Sequence, residues 1–264
     1  MVKYRINFNP ANGIALDKHN VDKYAEQILC LDKYLVGEIK KSRIVYFYNI
    51  DTKSIYPLER RESGYKALVT LGPNVPYTLR INGIHMHRIW GIDPLTDSEI
   101  KVKAARIGRH QKVLDTCMGL GYTAVKSLQH GAEVTTVEKD LDVIWIAEHN
   151  PYSQNLEDTR VKVIHGDILL VIKEFLDNAF DRIIHDPPRL TASTGDLYGI
   201  SFYRNLYRVL KPGGILFHYT GLPGRKRGIN LLGKTASRLE KAGFYPVIKN
   251  RRAQGVVAIK PLDE

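Results

Sequence analysis

The sequence predicts an α/β protein: a doubly wound, mostly parallel seven-stranded sheet over residues 93–264, preceded by a small β-rich N-terminal domain over residues 1–92. Three observations predict it. Beyond residue 93, short β-branched runs alternate with helical segments, the pattern of a parallel sheet covered on both faces. Glycines and acids fall at the ends of successive runs, where such a sheet keeps its ligand. The last two runs are separated by a turn too short for a helical crossover, so they should pair antiparallel.

The elements follow in order. Val21 to Glu38 reads as one helix, with Tyr24, Ile28, Leu31 and Leu35 at three- to four-residue steps. RIVYFYNI and KSIYPL, joined at Asp51-Thr52, read as strands. YKALVTL and YTLRINGIHMHRI continue a small antiparallel sheet. His85 and His87 would share one face of a strand, and they read as ordinary surface histidines rather than a metal pair. DPLTDSEIKVKAARI, from Asp93, reads as a capped helix. The second part then runs strand 112–117, helix 123–131, strand 133–138, helix 141–150, strand 160–167, helix 169–178 and strand 180–186. Helix 200–210 comes next, terminated by Pro212-Gly213-Gly214. Strand 214–220, helix 231–243 and the strand pair 245–250 and 255–261 complete it.

Composition narrows the function classes. Of 264 residues, 44% are hydrophobic, which is ordinary for a globular protein long enough to bury a large core. No run of 18 apolar residues exists, and MVKYRINFNP lacks the apolar core of a signal peptide, so no membrane association is expected. Cys30 and Cys117 are far apart and without metal-ligand spacing. They fit a reducing cytoplasm and argue against a disulfide framework or a bound metal. The net charge is +11, and it is uneven: Arg204 to Arg252 holds twelve Lys or Arg against one acid, Glu240. Either this is a solvated basic surface, or it is a face for a polyanion such as RNA or DNA, with Arg225, Lys226 and Arg227 at its centre.

The chemistry lies at the strand ends. The first strand of the second part runs into DTCMGLGYTA, placing Asp115, Thr116 and Cys117 before Gly119 and Gly121. Glycine allows close backbone approach or positive φ. An acid at this point repels a pyrophosphate and suits an ammonium, which disfavours a dinucleotide. Glu138, followed by Lys139, ends the next strand, at the position of an acid that accepts ribose hydroxyls. Gly166-Asp167 ends the third, where an acid can take an adenine amine. Each acid alone could simply cap a helix. Together with the glycine turn, they point to a shared adenosine-type ligand.

These motifs resemble those of class I S-adenosylmethionine-dependent methyltransferases, which share a Rossmann-like fold. DTCMGLG is similar to that family's first motif, Glu138 to its second, Gly166-Asp167 to its third and Asp186-Pro187-Pro188-Arg189 to its fourth. LKPGGILF before the fifth strand is also typical, and the whole chain looks like an archaeal group of predicted methyltransferases. The resemblance implies that S-adenosylmethionine is bound by Asp115 and the Gly119–Gly121 turn at its methionine part. It implies Glu138 at the ribose, and Asp167 with Ile168 at the adenine. Asp186 would sit beside the sulfonium. Pro187 and Pro188 fix φ and remove two backbone donors, leaving carbonyls free to accept, so Asp186 and the Pro187 carbonyl can take hydrogen bonds from an amino group. The family's enzymes with this motif methylate exocyclic amines or an amide nitrogen and carry an aromatic residue where this chain has Arg189. Arginine can stack or bind an anion instead. Tyr198 and Tyr203 are candidates for an aromatic wall, with core packing as the alternative, and loop 190–200 for a lid.

The expected function is therefore methyl transfer to a nitrogen, with RNA as the leading substrate. Two alternatives stand. Aminopropyltransferases of the spermidine synthase family share the fold and the small β domain, and FYRNLYRVLKPGG resembles their corresponding helix. They use decarboxylated S-adenosylmethionine. The other alternative is a non-catalytic nucleic-acid-binding module.

Overall fold

The computed structural model describes residues 5–28, 30–221 and 230–262. In it, β1 (Arg5–Ile6) joins the large sheet, pairing antiparallel so that Arg5 lies opposite Ile164. β2 (Gly13–Leu16), α1 (Val21–Tyr24) and α2 (Lys33–Lys41) follow. The single helix expected over Val21 to Glu38 is thus two. Asp32 starts the second by accepting from the Leu35 backbone N–H at 2.7 Å. Ile28 and Leu31, between the helices, still bury with Leu16, Val21 and Ile39. Their spacing reported burial, not helical continuity.

β3 (Tyr46–Asn49) and β4 (Ser54–Pro57) extend β2 into a three-stranded antiparallel sheet. β5 (Glu59–Arg60), β6 (Lys66–Val69), β7 (Thr78–Ile81) and β8 (Ile84–His85) form a second, four-stranded one. Asn82 and Gly83, both at positive φ, close the β7–β8 hairpin. α3 (Pro94–Ala104) begins where the sequence predicts, with Asp93 accepting from the Leu95 and Thr96 N–H groups.

The second part runs β9 (Lys112–Asp115), α4 (Tyr122–Gln129), β10 (Glu133–Glu138), α5 (Leu141–Glu148), β11 (Val161–His165), α6 (Ile168–Val171), β12 (Phe180–His185), α7 (Ile200–Val209), β13 (Leu210–Tyr219), α8 (Leu231–Lys241), β14 (Val247–Asn250) and β15 (Gly255–Ile259). The expected helix over 169–178 tightens into a 3-10 turn at Ile172–Glu174. Pro212-Gly213-Gly214 lies inside β13, where the register against β12 slips, rather than between elements.

The large sheet has eight strands, not seven, in the order β1-β11-β10-β9-β12-β13-β15-β14. The extra strand is β1, and two residues carry no readable pattern. The central pairs are parallel, and β1, β15 and β14 pair antiparallel with their neighbours. From β9 the chain winds outward to β11, then returns to β12 on the other side, so the switch point lies between β9 and β12. One core cluster crosses the expected boundary at residue 92, packing Phe47, Leu58, Leu68 and Leu79 with Val102, Val113, Val134 and Phe217. Among the described residues, no helix is long and apolar enough to cross a membrane.

Candidate active site

The turn after β9 is held from both sides. Thr116 N–H donates to the Ile184 carbonyl at 3.0 Å, and Met118 N–H to the Val137 carbonyl at 2.9 Å. Gly119 and Gly121 both take positive φ, 55° and 74°, yet they face different things. A side chain at Gly119 would project into open space, whereas one at Gly121 would strike Leu156 at 2.5 Å. Gly119 therefore leaves bare backbone beside open space, and Gly121 serves helix packing.

Glu138, at the end of β10, is half-buried and already holds the turn. Its Oε2 accepts from Gly119 N–H at 3.0 Å, and its Oε1 from the N–H groups of Lys139 and Asp140 at 2.9 and 3.0 Å. One acceptor position on Oε2 remains for a ribose hydroxyl. Burial raises its pKa, opposed by those N–H donors. The Lys139 side chain is exposed, and its carbonyl receives His165 Nε2. Asp167 caps α6 with Oδ1 on Leu169 N–H, leaving Oδ2. Ile168 is buried behind it, and Gly166 N–H reaches the Glu138 carbonyl. These residues fit an adenosine.

Asp115 does not open onto this cradle as the resemblance implies. It is fully buried, and its two oxygens accept from the Thr123 and Thr136 hydroxyls at 3.0 and 2.7 Å. Burial pushes its carboxyl up to about 7, against those two bonds. Thr116 is likewise buried. Its hydroxyl donates to His185 Nδ1 at 2.7 Å, because His185 Nε2 must donate to the Leu197 carbonyl. Cys117 is half-buried, and burial raises its thiol pKa.

Asp186 stands just past β12, at the switch point. Its Oδ2 meets Lys101 Nζ at 2.6 Å, and among the described residues no donor reaches Oδ1. Burial raises its pKa, and Lys101 opposes the shift. Lys101 is the residue the sequence reading missed. Four residues after Asp97, it reads as half of an ordinary helical ion pair; only the fold brings it to Asp186.

Several expected substrate contacts are not there. Tyr198 is buried, and its hydroxyl donates to the Pro188 carbonyl at 2.8 Å, so that carbonyl is not free. Tyr203 is buried, with its hydroxyl donating to His218 Nε2. Both are core: amphipathic α7 turns Tyr203 inward with Phe202 and Leu206, and the 3-10 turn Gly195–Tyr198 ahead of it buries Tyr198. Arg189 is exposed. Arg225, Lys226 and Arg227 lie outside the described residues. Part of the basic run is committed internally: Arg208 to Asp177, Lys211 to Asp181, and Arg238 to the Tyr198 carbonyl. His85 and His87 are half-buried, not surface residues; His87 Nδ1 bonds the Thr78 hydroxyl, and burial lowers its pKa to about 3.

Over 219 residues the chain is 46% identical to MJ1233, an uncharacterized protein of Methanocaldococcus jannaschii, with 83% of this chain and 75% of that one covered. The chain belongs to the MJ1233 family. Within this MJ1233-family chain, residues 102–228 match the spermine/spermidine synthase domain. It is similar to putrescine N-methyltransferase 4 of Nicotiana tabacum, 27% identical over 52% of this chain and 37% of that one. It also superimposes on spermidine synthase from Thermotoga maritima with a TM-score of 0.62, at 21% identity over 78% of this chain and 72% of that one. The matched region is thus similar to spermidine synthases in sequence, and the chain shares their fold.

Proposed function

We propose that this chain transfers an alkyl group from an S-adenosyl sulfonium donor to an amine nitrogen, with methyl transfer from S-adenosylmethionine as the first reading. One observation carries it: a mostly buried carboxylate, Asp186, 21% exposed and with one oxygen unclaimed among the described residues, at the switch point of the sheet that also bears Glu138 and Asp167. Glu138 would hold the ribose, Asp167 and Ile168 the adenine, and the Gly119 backbone the methionine part. When bound, the donor supplies an electrophilic carbon whose bond to sulfur breaks, its electron pair passing to sulfur, as the nitrogen lone pair attacks. The Asp186 carboxylate orients the acceptor N–H and takes the proton that the nitrogen sheds. Burial makes this carboxylate a better base than a solvated one. Positioning does the rest.

Aminopropyl transfer from decarboxylated S-adenosylmethionine is the second reading, favoured by the domain match over residues 102–228. Electrostatics weigh against it. Arg88, Asp97, Lys101 and Asp186 form a group of two cations and two anions, so Asp186 brings no surplus negative charge to a diamine.

Calorimetry with S-adenosylmethionine, S-adenosylhomocysteine and the decarboxylated donor tests both. Tight binding of the first two supports methyl transfer; preference for the third moves the reading to aminopropyl transfer. A labelled-methyl assay then separates RNA from small amines as acceptors. Asp186→Ala should lower turnover by a factor on the order of 100 or more while donor affinity holds. Loss of donor affinity in that variant would refute the division of roles.

A further inference from the structure

Four charged side chains lead from the N-terminal region to Asp186. Arg88 Nη1 lies 3.4 Å from Asp97 Oδ1, Asp97 Oδ2 lies 3.0 Å from Lys101 Nζ, and Lys101 Nζ lies 2.6 Å from Asp186 Oδ2. The Asp97 and Lys101 side chains are 1% and 2% exposed. Tyr219 lays its ring 4.2 Å from the same ammonium. Neither Asp97 oxygen makes a hydrogen bond of good geometry, so the acid is held by charge alone.

Such a group is a poor way to stabilise a fold. Buried ion pairs lose much of their attraction to desolvation, and apolar replacements of similar size often cost nothing. The group also ends on a single partly exposed carboxylate, which it reaches through Lys101. α3 presents Asp97 and Lys101 four residues apart on the face that meets the end of β12.

We propose that Lys101 is a positioning residue for the transfer: it pins Oδ2 of Asp186 and keeps that group a carboxylate, so that Oδ1 alone meets the acceptor nitrogen. The inference rests on the reading of Asp186 as proton acceptor. The other groups that face Asp186 do not do this. They are Asp97 on α3, Asp115 at the end of β9, Cys117 in the following turn, Tyr198 before α7 and Tyr219 on β13, and every one is an acid or a neutral donor. Arg88 reaches only Asp97. Among the described residues, Lys101 is the one cation in contact with Asp186. Tyr198 completes the arrangement by holding the Pro188 carbonyl, which fixes the chain just beyond the carboxylate.

The chain of charges predicts opposite effects at Lys101 and at Asp97. Lys101→Met keeps the length of the side chain and removes its charge, so Asp186 should bind its proton at least tenfold more tightly. Asp97→Asn removes a repelling acid and frees Lys101 for one partner, so Asp186 should bind its proton less tightly. Lys101→Arg should stay near wild type. The measurement is a carbon-13 NMR titration of the full chain labelled at aspartate carboxyls, with the Asp186 signal assigned from Asp186→Asn. In the labelled-methyl assay Lys101→Met should also lower kcat with KM nearly unchanged, a split that a structural ion pair alone gives no reason for; an unchanged kcat overturns the proposal. An unchanged titration in Lys101→Met, or movement of both variants in one direction, overturns the proposal. If Lys101→Met does not fold by circular dichroism, Asp97→Asn decides alone, and the lack of a downward shift refutes it. Failure of every sulfonium donor to bind in calorimetry would instead sink the transferase reading and leave this titration standing.

Discussion

Two acids at neighbouring strand ends, Asp115 and Asp186, have taken opposite assignments. Asp115 lies inside, bonded to Thr123 and Thr136, with its carboxyl pushed up to about 7. The folded protein then keeps a proton that the unfolded chain has lost, so from about pH 4 to 7 stability falls as pH rises. The full effect is on the order of 4 kcal/mol. Asp115→Asn lacks this slope. Urea denaturation should show wild type losing ground against the variant between pH 4 and 8; a constant gap would mean that Asp115 does not titrate there. His185 works the other way. Burial lowers it to about 4, and its neutral ring spans Thr116 and Leu197, so its contribution fades as pH falls below about 6.5. The sequence placed Asp115 at its strand end but not its partners, because Thr136 belongs to the next strand and only register brings it alongside.

At the scale of elements, the glycine turn separates binding from folding. Gly119→Ala puts a Cβ into open space at a left-handed φ and should cost about 1 kcal/mol in stability while weakening donor affinity. Gly121→Ala adds a collision with Leu156 and should cost more stability. Thermal melts beside donor calorimetry check this. If both variants melt alike and bind alike, the two glycines are not divided in role. Much of this layer was readable from sequence. Glu133–Glu138 matches its expected span, and Asp93 caps α3, since both follow from local patterns. What escaped is non-local. β1 exists only because β11 offers an edge. α7 and the 3-10 turn before it hold Tyr203 and Tyr198 inward, where a short aromatic run could equally have lined a cleft.

Across the whole molecule, the N-terminal sheets are fastened to the segment that follows β10. Lys66 on β6, almost fully buried, places Nζ 2.9 Å from Asp140 and 2.8 Å from Asp142. Burial would lower its pKa, but the two carboxylates hold it above the usual lysine value. Tyr122 donates to the Tyr77 carbonyl, and Ala11 N–H to the Glu148 carbonyl. α5 and the loop after Glu138 are therefore gripped from the N-terminal region, in part by Lys66, whose strand was legible but whose destination was not. One result of that grip is optical. The chain has two tryptophans. Trp90 is 88% exposed, while Trp145 on α5 lies under the Arg60 guanidinium at 3.6 Å and against His149. Replacing Trp90 with phenylalanine leaves Trp145 as the one tryptophan, on the helix that follows Glu138. The protein then becomes its own fluorimetric gauge: filling the cradle should change the emission of Trp145, and a flat signal across a saturating donor titration would show that α5 does not feel the ligand.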